Sequence, residues 1–73
     1  MSEHLPSIKP KKLIKILLEM EFIFYRQKGS HQIYVKDEQQ VVVPVHNKDL
    51  KKGTLANIIK GTGLSISDFK KLI

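Results

Sequence analysis

The sequence predicts an α+β domain of two layers, in which a three-stranded antiparallel sheet carries helices on one face. Three observations support this fold class: an amphipathic helical pattern opens the chain, three short β-rich runs follow it, and short polar connections separate those runs. Short connections make consecutive strands antiparallel neighbours. The apolar face of so small a sheet needs a cover, and the helices are the available cover. The expected order is helix, three strands, helix and a short C-terminal helix.

The first helix is predicted over residues 11–21, with Pro10 in its first turn. Lys11, Lys15 and Glu19 recur at the spacing of one helical face and leave a broad apolar face for the core. Residues 1–8 show no clear periodicity. We expect them to be a poorly ordered start of a single domain that spans residues 1–73.

The three predicted strands are rich in β-branched and aromatic residues: residues 22–28, 31–36 and 40–45. Gly29 and Ser30 separate the first two, and the polar residues 37–39 separate the second from the third. Pro44 cannot donate a hydrogen bond to a strand ladder, so we expect it at a strand end or a sheet edge.

A second helix is predicted to start at Thr54, which is a suitable N-cap, and to stop at Gly61 and Gly63. Ser65, followed three residues later by Asp68, has the spacing of a capping box and predicts a short last helix. Three apolar residues near the end of the chain are expected to close the core: Phe69, Leu72 and Ile73.

The charge balance favours an anionic partner, because 13 Lys and Arg face 7 Asp and Glu in 73 residues, for a formal charge of +6. Nucleic acid, an acidic protein and a membrane surface all fit this balance. The lysines are spread along the chain rather than clustered, which argues against a polybasic membrane anchor.

Several classes of protein fit the sequence poorly. The chain has no cysteine and no histidine–carboxylate cluster at ligand spacing, so we expect no metal site. No glycine-rich nucleotide-binding motif is present, so we expect no cofactor. The longest apolar-rich run, residues 13–20, contains Lys15 and Glu19 and is shorter than the ~20 residues that span a bilayer. The start lacks the order of a signal peptide, and we therefore expect a cytoplasmic protein without membrane contact.

His31 is the leading candidate for chemistry. It follows the cations Arg26 and Lys28 and the turn residues Gly29 and Ser30. Histidine can take or give a proton near neutral pH. RNA cleavage without a metal needs a base for the 2′-hydroxyl and positive charge at the phosphate. The alternative is a surface histidine with no role.

The other candidates carry weaker signals. His46 could supply the acid for the leaving group or could simply lie in a strand-to-helix loop, which the sequence favours. Lys52 enters the second helix, where a helix N-terminus could bind phosphate, although the sequence favours a plain helix start with solvated lysines. Tyr25 and Tyr34 are first of all packing candidates, and stacking on a base at the open sheet face is the alternative.

Taken together, these residues resemble the HicA-type mRNA interferase toxins, the YcfA-like family. The resemblance covers residues 8–73 and rests on the following ordered set: Phe22, residues 26–34, residues 43–46, residues 52–55, Ile58, Ile59, residues 63–65, Asp68 and Phe69.

The resemblance implies a fold like the double-stranded RNA-binding domain, a ribosome-independent endoribonuclease that acts on mRNA, and a HicB-type antitoxin that blocks the active site. It implies that His31, in Gly-Ser-His, is catalytic. Glu21 stands where the family often has glycine, and Gly61 is unusual within the second helix.

The leading hypothesis is a metal-independent endoribonuclease toxin with His31 as the proton-transfer residue. Arg26, Lys28, Gly29, Ser30 and Lys52 are the expected RNA-contacting residues, and the free protein is expected to be a monomer. One alternative is a non-catalytic RNA-binding module that recognises A-form RNA by its shape. Another is an interaction domain whose basic surface serves to bind an acidic antitoxin.

Overall fold

The computed structural model describes residues 5–46 and 48–73, and it confirms the predicted α+β fold class. The helices and strands follow in this order: α1 (Pro10–Glu19), β1 (Ile23–Lys28), β2 (His31–Lys36), β3 (Gln39–Pro44), α2 (Lys52–Thr62) and α3 (Ile66–Lys70). The three strands form one antiparallel sheet in the order β1-β2-β3. Residues 1–4, part of the predicted poorly ordered start, lie outside the described residues.

The end of α1 differs from the prediction because the helix stops at Glu19 and the chain then turns sharply. The Phe22 N–H donates to the Leu17 carbonyl at 2.9 Å, and the Glu21 N–H donates to the Leu18 carbonyl at 3.0 Å. These two bonds form a Schellman motif, in which the residue after the C-cap adopts a left-handed conformation. That residue is Glu21, with φ 73. The turn places the side chain of Phe22, which is 1% exposed, in the core.

The two hairpins have two-residue loops. Gly29, the first loop residue of the β1–β2 hairpin, has φ 59, and Ser30 does not have a positive φ. This pattern is that of a type II′ turn, which favours glycine at its first position. In the second hairpin Asp37 has φ 53, and β3 starts at Gln39, one residue earlier than predicted.

Helices cover one face of the sheet, as predicted. Both α1 and α2 contact β3, and α3 packs against α2. The covered face buries Tyr34, Val41 and Val43, whereas every residue of β1 is exposed. The prediction for the end of the chain is correct for Phe69, which is fully buried, and wrong for Leu72 and Ile73, which lie beyond the last helical turn and are exposed.

The prediction for the start of α2 is wrong. The helix begins at Lys52 after Lys51, which caps it with extended backbone and no side-chain hydrogen bond, so Thr54 lies inside the first turn. Gly61 does not stop the helix, which runs to Thr62 and is capped by Gly63 with φ 85. Gly61 instead lies where α2 and β3 approach closely, because a Cβ there would come within 2.9 Å of Val41 Cγ1.

Hydrogen bonds define the start of the last helix and connect the beginning of the described chain to the core. The Ser65 hydroxyl oxygen accepts a hydrogen bond from the Asp68 N–H at 3.1 Å, which confirms the predicted start of the last helix. Ile8 is 4% exposed, and its carbonyl accepts a hydrogen bond from the Leu50 N–H at 2.8 Å. Ile8 is thus packed and hydrogen-bonded against the core, and the predicted poor order of residues 1–8 stays a prediction.

Candidate active site

A bulge in β1 decides which side chains face the open side of the sheet. Phe24 pairs with Tyr34 and Arg26 pairs with Ile33, so Tyr25 is an extra residue on β1. Such a bulge shifts the alternation of side chains along its strand. Phe24 therefore lies on the covered side of the sheet with Tyr34, whereas Arg26 lies on the open side.

His31 lies at the centre of a row of three residues across the sheet. It pairs with Lys28 of β1 on one side and with Pro44 of β3 on the other. Directly paired residues point to the same face, with Cβ atoms about 4.5–5.5 Å apart. Arg26, two residues before Lys28, shares that face. The register thus brings together three of the predicted site residues, namely Arg26, Lys28 and His31, on the open side.

The β1–β2 turn is anchored to the end of β3 by the backbone. The Val45 N–H donates to the Ser30 carbonyl at 2.7 Å. This bond makes His31 and Pro44 a non-hydrogen-bonded pair, in which side chains approach each other most closely. Pro44 loses no ladder bond there because its nitrogen faces away from β2, so the proline ends the strand as predicted.

The cationic groups around His31 are open to solvent. Arg26, Lys28 and His31 are all exposed, and within the described residues none of them forms an ion pair. The Arg26 guanidinium lies 5.9 Å from the centre of the Tyr25 ring. In the described part of the chain, the His31 imidazole has no hydrogen-bond partner. The arrangement can therefore receive an anionic group from solvent.

The open face beside these cations is apolar. Ile23 is 62% exposed and Val42 is 41% exposed. Ile33 and Val35, which are half-buried, lie between them in the register. A surface that combines apolar and cationic side chains suits a partner that offers both flat apolar groups and negative charge.

A chain of hydrogen bonds runs on the covered side of the same hairpin. The Tyr34 hydroxyl donates to Gln32 Oε1 at 2.8 Å, and Gln32 Nε2 donates to Gln27 Oε1 at 3.1 Å. Gln27 Nε2 then donates to the Gly29 carbonyl at 2.9 Å. The sequence reasoning missed both glutamines. A usable signal was present, because Gln27 and Gln32 lie at equal distances from the two-residue turn and must therefore pair.

Tyr34 is not available to stack on a base, which corrects that alternative. Its side chain is 4% exposed on the helix-covered face and meets the Phe24 ring edge to face, with ring centres 5.8 Å apart. Burial raises the pKa of the Tyr34 hydroxyl. The hydroxyl therefore remains protonated, and able to donate, over the neutral pH range.

Two further candidates lie on other elements. His46 lies in the loop after β3, as the sequence favoured, and its Nδ1 accepts a hydrogen bond from the Lys48 N–H at 3.2 Å. Lys52 is the exposed first residue of α2. The far end of α2 contacts the start of β3 through Gln39 Nε2, which donates to the Thr62 carbonyl at 2.9 Å. Lys52, at the opposite end of α2, therefore lies towards the end of the sheet that carries the β1–β2 turn, but it belongs to the helical layer.

Neither a metal cluster nor a membrane span is found in the described residues. No group of three or more His, Cys, Asp or Glu side chains within residues 5–46 and 48–73 could hold a metal ion. Among the same residues, none of the helices has the length and apolar character needed to cross a bilayer.

The fold and the site define a small basic α+β domain that presents a histidine among cations on an open sheet face. The family model of the HicA toxin of bacterial toxin–antitoxin systems matches residues 10–64, from the start of α1 to just beyond α2. The chain belongs to the HicA toxin family, which confirms the expected role as the toxin of a toxin–antitoxin system with an antitoxin partner. A comparison with curated proteins found no match.

Proposed function

We propose that this toxin is a metal-independent endoribonuclease that cleaves mRNA, with His31 as its general acid–base residue. The observation that carries the proposal is the pairing of His31 with Lys28, on the same open face as Arg26. A proton-transfer group and two cations are thereby held by neighbouring strands, where a phosphodiester can reach all three.

The chemistry follows from these positions. His31 takes the proton of a 2′-hydroxyl, and the 2′-oxygen attacks the adjacent phosphorus. The bond from phosphorus to the 5′-oxygen breaks, and the leaving oxygen takes a proton. The products are a 2′,3′-cyclic phosphate and a free 5′-hydroxyl. Lys28 and Arg26 stabilise the charge that develops on the phosphoryl oxygens.

The turn and the helical layer supply the remaining contacts of the proposed site. Gly29 has no atom within 4 Å of its missing Cβ position, so RNA can approach the backbone there. The Ser30 hydroxyl is exposed beside it and can donate to a phosphate oxygen. Lys52 would contact a neighbouring phosphate rather than the scissile one.

Three groups are candidates for the acid that protonates the leaving group: His46, a lysine and water. The Lys48 N–H occupies Nδ1 of His46, which leaves Nε2 to carry the proton of the neutral ring. His46 is exposed, but it could act as the acid only as an imidazolium, and protonation of Nδ1 would break the hydrogen bond from the Lys48 N–H.

The proposed partners follow from the same surface. A HicB-type antitoxin would inhibit the toxin by covering the exposed His31 and pairing acidic groups with Arg26 and Lys28. mRNA is the proposed substrate, the cytoplasm is the proposed location, and the free toxin is proposed to be a monomer.

A non-catalytic RNA-binding module is the second candidate. The observation in its favour is that no side chain of the described residues hydrogen-bonds the His31 ring, whereas a catalytic base is often oriented by a second group. Under this hypothesis the cations bind the RNA backbone and no bond is broken.

The test is cleavage of a long single-stranded RNA by the purified protein in the presence of EDTA. We expect His31→Ala to lower the cleavage rate by roughly 10²–10⁴-fold, the usual contribution of general acid–base catalysis. RNA affinity and the circular dichroism spectrum should be unchanged. His46→Ala tests the candidate leaving-group acid separately, and a similar loss there would identify His46 as the acid. Equal cleavage by wild type and His31→Ala, or loss of cleavage with EDTA alone, would contradict the proposal.

The pH dependence of the same reaction gives a separate test. The rate should fall as the solution is acidified, because a protonated imidazole cannot accept the 2′-hydroxyl proton. A rate that does not change on acidification of the folded protein would exclude His31 as the general base. A folded wild-type protein that binds RNA without cleaving it would favour the binding module.

A further inference from the structure

The hairpin that carries His31 is supported from behind by three polar side chains with no part in the chemistry described above. Tyr34, Gln32 and Gln27 form a continuous hydrogen-bond chain that ends on the Gly29 carbonyl, with donor–acceptor distances of 2.8, 3.1 and 2.9 Å. The chain starts at a buried side chain and ends in the exposed turn. It therefore links the core to the backbone that precedes His31.

All the donors of this hydrogen-bond chain point from Tyr34 towards the turn. Each carboxamide accepts with its oxygen and donates with its nitrogen, and Tyr34 supplies the first proton. Hydrogen bonds aligned in this way polarise one another and strengthen the chain. The direction is fixed at the turn, because the Gly29 carbonyl can only accept. Gln27 therefore presents its nitrogen to Gly29 and its oxygen to the Gln32 nitrogen, which leaves the Gln32 oxygen to accept from Tyr34.

The sheet register makes this chain possible. Gln27 and Gln32 pair directly, next to the hydrogen-bonded pair of Lys28 and His31 that closes the turn. They are therefore a non-hydrogen-bonded pair, in which side chains approach most closely. Alternation places both glutamines on the face opposite His31, so the chain holds the turn without occupying the site.

From this geometry we propose that Tyr34, Gln32 and Gln27 are positioning residues, which fix the Gly29–Ser30 turn and with it the His31 side chain for RNA cleavage. The inference rests on the proposed function. The exposed His31 ring has no side-chain partner in the described residues, so its placement depends on the backbone that carries it. That backbone is held by Gln27 at Gly29 and by the Val45 N–H at Ser30.

The first variant is Tyr34→Phe, which removes one hydroxyl and keeps the buried ring. We expect kcat for RNA cleavage to fall about fivefold, which corresponds to the loss of one ordinary hydrogen bond. KM should change less than about twofold, because the cations that bind RNA are untouched. The backbone NMR order parameters of Gly29 and Ser30 should fall from about 0.85, the value of rigid backbone.

The second variant is Gln32→Glu, which is nearly isosteric. The new carboxylate can accept from Tyr34 but cannot donate to Gln27. Gln27 must then turn its NH₂ group towards the carboxylate and present its oxygen to the Gly29 carbonyl, so the turn loses its donor. Gln40→Glu is the control for added charge alone, because it places the same charge at an exposed position of β3, on the open face and outside the hydrogen-bond chain. The control should raise KM and leave kcat and the turn order parameters unchanged.

The outcomes separate this inference from the proposed function. If wild type cleaves RNA and both variants keep its kcat, or if the order parameters of the turn do not change, the positioning role is overturned. The inference is supported if both variants lower kcat and the order parameters of the turn. The variant that combines Tyr34→Phe with Gln32→Glu should then have a kcat no lower than that of Gln32→Glu alone, because the hydrogen-bond chain acts as a unit. If the wild-type protein does not cleave RNA, the proposed function is overturned, and with it the positioning role of the hydrogen-bond chain in cleavage.

Discussion

Glu21 shows how a single residue can carry a local cost that the fold tolerates. Its φ of 73 lies in the left-handed region, which costs an ordinary residue roughly 1–2 kcal/mol more than glycine. The two hydrogen bonds of the turn after α1 and the burial of Phe22 hold it there. Glycine would adopt this conformation without that cost.

Replacing Glu21 with glycine should stabilise the protein. Relief of the left-handed strain exceeds the added flexibility of the unfolded chain, so we expect the free energy of unfolding to rise by roughly 0.5–1 kcal/mol in urea denaturation.

Glu19→Gly, the same chemical change at the last helical residue of α1, is its control. There the free energy of unfolding should fall by a similar amount, since glycine weakens a helix. A decrease for both variants would show that Glu21 makes a stabilising contact that outweighs its strain.

For the candidate site, local sequence suggests which residues to consider more readily than it suggests their surroundings. The turn chemistry of Gly29 and Ser30 and the proton chemistry of histidine are local properties, and they led directly to His31. The burial of Tyr34 depends instead on which face the helices cover. A strand pattern with apolar residues on both faces, such as residues 31–36, does not fix that choice.

The contact between α2 and β3 depends on a glycine in the middle of the helix. A Cβ on Gly61 would lie 2.9 Å from Val41 Cγ1 and 3.3 Å from the Gln40 carbonyl oxygen. Val41 is buried and the carbonyl belongs to the backbone, so neither can move freely. The close approach, rather than the end of the helix, explains why glycine occurs at this position.

Gly61→Ala should therefore destabilise the protein, although alanine is the better helix former. We expect the free energy of unfolding to fall by roughly 1–3 kcal/mol, the usual cost of overpacking.

Gly53→Ala in the first turn of the same helix is the matched control, because no atom lies within 4 Å of its Cβ position. It should raise the free energy of unfolding by about 0.5–1 kcal/mol. Thermal or urea denaturation of the two variants measures both effects, and equal stabilisation would show that α2 can shift away from β3 without cost.

The element least predictable from the sequence was the bulge in β1. Regular alternation from Phe22 would bury Phe24 and Arg26 on the same side, but the extra residue at Tyr25 turns Arg26 to the open face. The number of strands, their order and the short connections followed from local composition. The register at a bulge depends on contacts with a neighbouring strand, which composition does not encode.

At the scale of the whole molecule, the excess of positive charge is available for binding. Two ion pairs among the described residues, Lys9–Asp49 at 3.7 Å and Lys71–Asp68 at 3.8 Å, lie at exposed positions. Exposed pairs of this kind contribute little to stability. The formal charge of +6 is therefore better explained by an anionic partner than by folding.

RNA binding should weaken as salt rises, and Arg26→Ala should reduce that dependence. For single strands, each phosphate contact contributes about 0.7 to the slope of log affinity against log salt concentration. We expect the slope for Arg26→Ala to be smaller by about 0.7 in fluorescence anisotropy titrations with a non-cleavable RNA.

Lys70→Ala removes the same charge from α3, in the helical layer, and should leave the slope unchanged. A reduced slope for both variants would indicate that RNA binds over the entire surface rather than at the open face.

The bulge at Tyr25 has a second consequence, for self-association. β1 forms an edge of the described sheet, and edge strands can recruit strands from other copies and begin aggregation. A bulge interrupts the row of free backbone groups that such recruitment needs, and the cations Arg26 and Lys28 would repel their counterparts on an incoming copy. The irregularity that turns Arg26 towards the candidate site thus also protects the chain against edge-to-edge polymerisation.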